Sequence, residues 1–209
     1  MRLKSTNQHK KFWATRKIDW DKEYLQTFSH PHRQLIVWAM QSIPWVSLWE
    51  VGCGPGANLV RLVKSGFTDR QLGGSDVNPE AIELATKTFK GGKFRVESVE
   101  DLLLSDKAVD VVLSDAALIY IGPTKIKQAV GEMVRIARNN LVLCEFHSTS
   151  WLQRLLFRWK TGYNAYNYQQ LLEEAGCYDI RMAKITKEFW DGEPWTKFGY
   201  IIICKVLNK

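Results

Sequence analysis

No apolar run approaches the roughly 18–20 residues needed to cross a bilayer. The longest, such as Leu141–Phe146 and Tyr200–Cys204, have strand length. The stretch from Met1 to Trp13 is basic and polar and lacks the apolar core of a signal peptide, so a cytoplasmic chain with no membrane partner is expected. Cysteine is scarce: Cys53, Cys144, Cys177 and Cys204 lie far apart, with no close pair of metal-ligand spacing. Free buried thiols in a reducing compartment are expected, with no metal site. Internal repeats, low-complexity tracts and long linkers are also missing. Acidic residues fall short of basic ones, 22 against 29, giving a net charge of +7. Arg2, Lys4, Lys10, Lys11, Arg16 and Lys17 crowd the first twenty residues, opposed only by Asp19. Arms that bind polyanions carry denser charge, so this reads first as a solvated terminus and second as a contact for a phosphate-bearing partner.

What is present is a 209-residue chain with 45% hydrophobic residues, the size and content of one globular domain. Three zones can be separated. Residues 1–45 are rich in aromatics and mixed charge and read as a helical lid segment. Residues 46–146 alternate strand and helix patterns. Residues 147–209 hold an aromatic helical stretch and a terminal hairpin. In the middle zone, strand patterns at Val46–Val51, Gln71–Val77, Lys93–Glu97, Val109–Ser114 and Leu141–Phe146 alternate with helical spacing at Ala57–Lys64, Pro79–Phe89 and Lys125–Arg138. Asn167 can cap a further helix that Gly176 ends. Asp179–Thr186 and Gly199–Val206 have no helix pattern between them and should pair as an antiparallel hairpin. The forecast is an α/β fold: a doubly wound, Rossmann-like sheet of seven strands, the last antiparallel, with helices on both faces.

The strongest local signal is Glu50-Val51-Gly52-Cys53-Gly54-Pro55-Gly56, placed where a strand ends and a helix begins. Gly52 allows a tight turn, Gly54 lets a ligand approach the backbone, and the helix after Gly56 aims its free N–H groups at the loop. Asp76 ends the next strand, where a carboxylate can accept from a ribose diol. A dinucleotide fits Gly52-x-Gly54-x-x-Ala57 only loosely. Glu50, two residues before the first glycine, is badly placed for a pyrophosphate but suits a ligand bearing an ammonium and a sulfonium.

This run, with the acidic strand end at Asp76, resembles the first motifs of the class I S-adenosylmethionine-dependent methyltransferases. The resemblance covers roughly residues 46–146 and extends to the terminal hairpin. It implies an enzyme with S-adenosyl-L-methionine as cofactor. Glu50, Gly52, Cys53, Gly54 and Gly56 would line its methionine end, Asp76 its ribose, and Val77 its adenine. The segment from Glu97 to Leu102 would pass the adenine edge, with Ser98 and Val99 in contact. Many relatives have Asp where Ser98 stands, so Ser98, or Glu100 in a shifted register, would substitute. Ser114 and Asp115 would end the fourth strand beside the methyl group, although Asp115 also suits a helix cap.

Asp115-Ala116-Ala117-Leu118 replaces the Asn-Pro-Pro-Tyr-like motif of adenine and glutamine-amide methyltransferases, and the Pro-Cys motif of cytosine-C5 enzymes is absent. The candidate bases are His147, directly after the fifth strand, and Tyr120, after the fourth. His30 and His32 could line the site or simply begin the helix at Gln34–Met40. Trp13, Trp20 and Tyr24, with Trp151, Phe157, Trp159, Tyr163, Tyr166 and Tyr168, suggest an aromatic lid over a small organic acceptor methylated at O or N. The alternatives are an RNA or protein acceptor, with Arg154, Arg158 and Lys160 on phosphates, a nicotinamide-dependent oxidoreductase, and a non-catalytic cofactor-binding subunit. A monomer and a homodimer both remain open.

Overall fold

Seven strands form a single sheet in the order β3-β2-β1-β4-β5-β7-β6. The computed structural model describes residues 5–207, so Arg2 and Lys4 of the basic N-terminal cluster lie outside the described residues. The strands are β1 (Ser47–Val51), β2 (Gln71–Asp76), β3 (Lys93–Val96), β4 (Val109–Asp115), β5 (Ala137–Phe146), β6 (Cys177–Lys184) and β7 (Gly199–Val206). β3, β2, β1, β4 and β5 pair in parallel, and β7 runs antiparallel to both β5 and β6. The forecast of a seven-stranded sheet with an antiparallel last strand therefore holds.

The helices are α1 (Thr6–Ala14), α2 (Trp20–Glu23), α3 (Arg33–Gln41), α4 (Ala57–Lys64), α5 (Pro79–Thr88), α6 (Ile126–Ile136), α7 (Trp151–Thr161), α8 (Tyr168–Glu174) and α9 (Trp195–Phe198). The period of two along the central strands divides the core. Val112, Leu141 and Leu143 face Met133 and Ile136 of α6 and Leu172 of α8. Val111, Leu113, Val142 and Cys144 face Ile36 and Met40 of α3 and Leu59 and Leu62 of α4. Burial on both faces explains why β4 and β5 read as continuous apolar runs. All four cysteines are free and buried.

Two local expectations need correction. β5 starts at Ala137, directly after α6, so the strand is longer than the apolar run Leu141–Phe146 suggests. Asn167 makes no side-chain cap on α8; the first helical N–H, that of Tyr168, donates instead to His147 Nδ1 at 3.2 Å.

The chain builds outward from β1 to β3 and then returns to β4 on the other side of β1. Strand order therefore reverses between β1 and β4, the place where open α/β sheets bind ligands at their carboxyl ends. Register puts Val51 beside Ser75 and Ser114, so the ends of β1, β2 and β4 converge there. α1 is fixed over this edge. Thr6 Oγ1 accepts from Gly122 N at 2.7 Å, and Asn78 Nδ2 donates to Trp13 O at 2.7 Å and Arg16 O at 2.9 Å.

Candidate functional site

The glycine loop between β1 and α4 is shaped by close approach. At Gly52 φ is +67°, and a Cβ there would sit 2.4 Å from the Ala117 Cβ. Gly54 also has positive φ, +51°, but its Cβ position faces open space, a cradle for a ligand. Asp76 ties the loop to β2: its Oδ2 accepts from Gly54 N at 3.0 Å and its Oδ1 from Asn78 N at 2.9 Å. Each oxygen keeps a lone pair for a further donor. Burial raises the Asp76 carboxyl above its ordinary value although these backbone N–H groups oppose the shift.

Behind the loop lies a buried polar cluster. Asn58, on the first turn of α4, donates from Nδ2 to Glu50 Oε1 at 2.6 Å and to Asp115 Oδ2 at 3.0 Å. Arg33 Nη1 donates to the same Asp115 oxygen at 3.1 Å and to Asn58 Oδ1. Thr27 holds the other guanidinium nitrogens through its carbonyl and hydroxyl oxygens. His32 Nε2 meets Asp115 Oδ2 at 2.9 Å, and His32 Nδ1 meets His30 Nδ1 at 2.6 Å. Burial acts to raise the Asp115 carboxyl, but the charge and hydrogen bond of His32, followed by Arg33, hold it well below the usual carboxylate range. Glu50 has only Asn58 as a close partner, and burial pushes it up to about 8. Glu50 Oε2 and Asp115 Oδ1 are buried without a hydrogen-bond partner.

Glu145 is equally buried and is also pushed up to about 8. Its Oε1 accepts from Ser114 Oγ at 2.7 Å and from Ala117 N and Leu118 N at 3.0 Å. This fixes the β4 loop where Ala117 abuts Gly52.

The glycine loop and the cluster around Asp115 border a cavity of about 460 Å³. Of the residues expected at a cofactor, Glu50, Gly52, Cys53, Gly54, Asp76, Val77, Ser98, Val99 and Asp115 line it. Gly56 does not: it caps α4, and a Cβ there would meet the Phe89 ring at 2.7 Å. It serves close packing between α4 and the end of α5. Ser98 Oγ donates to Glu100 Oε2, so both residues weighed for the adenine edge stand together on the wall. The opposite wall is aromatic. Trp13 lies 5.2 Å from Tyr120 and 6.3 Å from Tyr24, and Trp20 lies 5.2 Å from Tyr24. Trp190, from the β6–β7 connection, places its ring 4.2 Å from His32.

The two expected bases fare differently. Tyr120 lines the cavity, but burial and the neighbouring Tyr163 raise its phenol, so it is a donor and a wall. His147 is not among the lining residues. Its ring caps α8 through Nδ1, packs 5.0 Å from Tyr200, and belongs to the scaffold. Arg33, Asn58 and Glu145 were not singled out from sequence. Asn58 and Glu145 are each a polar residue inside an otherwise apolar run, and that is their only sequence signal.

Residues 49–140 match the family model described as a methyltransferase domain. No curated protein matches the chain in sequence. Among solved structures, the N-methyltransferase NodS from Bradyrhizobium japonicum WM9, in complex with S-adenosyl-L-homocysteine, superposes with a TM-score of 0.70 at 17% identity, covering 98% of this chain and 100% of its own. The magnesium protoporphyrin IX methyltransferase ChlM from Synechocystis PCC 6803, with bound S-adenosylmethionine, gives 0.65 at 13% identity, covering 99% of both chains. The cyclase SpnF gives 0.73 at 16% identity, covering 100% of this chain and 99% of its own. Such identities carry the fold alone, and the chemistry named for these three proteins differs from one to the next. Residues 49–140 thus match a methyltransferase domain, and the strand order gives the whole chain the fold of the NodS and ChlM structures that hold S-adenosylhomocysteine and S-adenosylmethionine.

Proposed function

We propose that the chain transfers a methyl group from S-adenosylmethionine to an oxygen or nitrogen of a small organic acceptor. One observation carries this reading. Two buried carboxylate oxygens, Glu50 Oε2 and Asp115 Oδ1, stand unpartnered beside the open cradle at Gly54. Burial pushes the Glu50 carboxyl up to about 8 in the empty site, and a cationic ligand beside it would favour its charged form. Glu50 and Asp115 would hold the ammonium of the cofactor, Asp76 the ribose hydroxyls, and Val77, Ser98 and Val99 the adenine. When bound, the cofactor supplies a methyl carbon already activated by its sulfonium.

The chain's own groups then align the acceptor and take up its proton. The aromatic wall of Trp13, Trp20, Tyr24 and Tyr120 excludes water and suits a flat organic molecule. His32 Nε2 donates to the Asp115 carboxylate, and His30 Nδ1 accepts from His32 N at 3.4 Å and stands 2.6 Å from His32 Nδ1. His30 lines the cavity and is the imidazole assigned here to take up the acceptor's proton. Burial, followed by the charges of His32 and Arg33, lowers the His30 pKa and so favours the neutral ring.

The test is an acceptor screen of small phenols, amines and carboxylates with the intact chain, read as S-adenosylhomocysteine formed. With an O–H or N–H acceptor, His30→Asn should lower turnover about 10²–10⁴-fold while leaving S-adenosylhomocysteine affinity unchanged. Turnover only with RNA or protein would overturn the small-molecule reading, and full activity of His30→Asn would remove the base.

A further inference from the structure

We propose that α7 is an interfacial helix that seats the protein on the surface of an anionic lipid bilayer. Trp151, Leu152, Leu155, Leu156 and Trp159, all on this one helix, are 68%, 49%, 51%, 55% and 64% exposed. At about 100° per residue they fall on one continuous arc of roughly 140°. Phe157, the buried residue of α7, projects from the opposite side into the core with Phe146 and Phe198. The helix is thus held by one face and offers the other. No other helix of the described residues exposes more than one large apolar side chain. Isolated ones are ordinary, whereas a contiguous apolar face marks an interaction site.

The flanks of the arc indicate what covers it. Arg158, half-buried with its Nε inside, borders one side and Lys160 the other, and Lys197 shares the groove beside Lys160 with the single carboxylate of Glu193. None of the three takes part in an ion pair among the described residues. Long basic side chains at the edge of an apolar arc reach headgroup phosphates while their stems stay over the acyl chains, and tryptophan prefers that same boundary. α7 carries no carboxylate, so a second copy of the chain would set cation against cation. The arc is too short and one-sided to span a membrane; no helix of the described residues is long and apolar enough to do so. Linear hydropathy registers spanning runs and is blind to such an arc, which is why the sequence expectation held no membrane partner. Tyr163, two residues beyond α7, has its ring 5.6 Å from Tyr120 on the cavity wall. A seated α7 therefore brings the cavity close to the lipid surface.

This inference stands apart from the methyl-transfer reading, and the test keeps the two separate. The intact chain is sedimented with vesicles of phosphatidylcholine alone and of phosphatidylcholine with phosphatidylglycerol in equal parts. Binding to the anionic vesicles that salt weakens is the expected result. The double variant Leu155→Ser with Trp159→Ser should bind about tenfold or more weakly while keeping the parent's unfolding midpoint and its S-adenosylhomocysteine affinity. Arg158→Gln with Lys160→Gln should erase the preference for anionic vesicles. Failure to sediment with anionic vesicles, or undiminished binding by the first variant, overturns the proposal. So does a concentration-dependent dimer that the first variant dissolves, or binding of single-stranded RNA without vesicle binding.

Discussion

Asn58 Nδ2 stands between two carboxylates, and its removal isolates both. Asn58→Ala should destabilise the ligand-free chain by about 1–3 kcal/mol, because a buried acceptor that loses its donor bears its full desolvation cost. Urea unfolding measures this, and a change within error would mean that water replaces the amide without loss. Gly52→Ala forces a Cβ to within 2.4 Å of Ala117 at a φ that side chains avoid. A loss of about 2–4 kcal/mol follows from left-handed strain with overpacking, read as a lowered unfolding midpoint. Glu50 and Asp76 were legible in the sequence because the glycine spacing fixes where a carboxylate must stand. Asn58 was not, since its partners lie on β1 and β4 and only the turn into α4 brings them together. Which histidine reaches the cavity was hidden for the same reason. His147 sits at the right strand end, but its ring turns to cap α8, while His30 reaches the cavity from the N-terminal segment.

Elements were legible where a period was strong. β4, β5, α4 and α6 carry clear patterns and appear within a few residues of where these place them. α1 is different: Thr-Asn-Gln-His-Lys-Lys-Phe-Trp-Ala has little amphipathic contrast and is held by its ends. Ser5 and Gln8 form a reciprocal capping box at its start, and Thr6 accepts from Gly122 N in a buried contact. Thr6→Val leaves that N–H without a partner and should loosen the lid. The expected result is a stability loss of about 1 kcal/mol and faster release of S-adenosylhomocysteine in stopped-flow measurements. Unchanged release would mean that α1 does not close over the bound ligand.

At the scale of the whole molecule, stability should depend on pH through two buried glutamates. Glu50 and Glu145 rise from an ordinary 4.5 to about 8, chiefly by burial. The folded chain therefore binds these protons more tightly than the unfolded chain does. Their contribution is full below about pH 4.5 and is lost as pH rises through about 8. Asp115 acts in the opposite sense: its depressed carboxyl stabilises the fold above its ordinary 3.8 and loses that effect as pH falls below it. The ligand-free protein should therefore unfold more readily at about pH 8 than at about pH 5, and Glu50→Gln should remove part of that slope. A flat profile in the parent chain would mean that both carboxylates are solvated in the fold. The sheet order was readable because alternating strand and helix patterns with short connections admit few topologies. The aromatic wall was readable only in part: Trp13, Trp20, Tyr24 and Tyr120 line the cavity as expected, whereas Trp151, Phe157, Trp159, Tyr163, Tyr166 and Tyr168 do not and Trp190 was missed. It joins α1, the segment around Trp20 and Tyr24, the β4 loop and Trp190, which are far apart in the chain and carry no shared pattern.

The most direct test of the central claim is calorimetric titration of the ligand-free protein with S-adenosylhomocysteine, with NADH as control. Saturable one-to-one binding of S-adenosylhomocysteine alone is predicted, weakened in Asp76→Ala by about 1–3 kcal/mol through loss of charge-assisted hydrogen bonds. No heat with S-adenosylhomocysteine, or equal binding of NADH, would contradict the account.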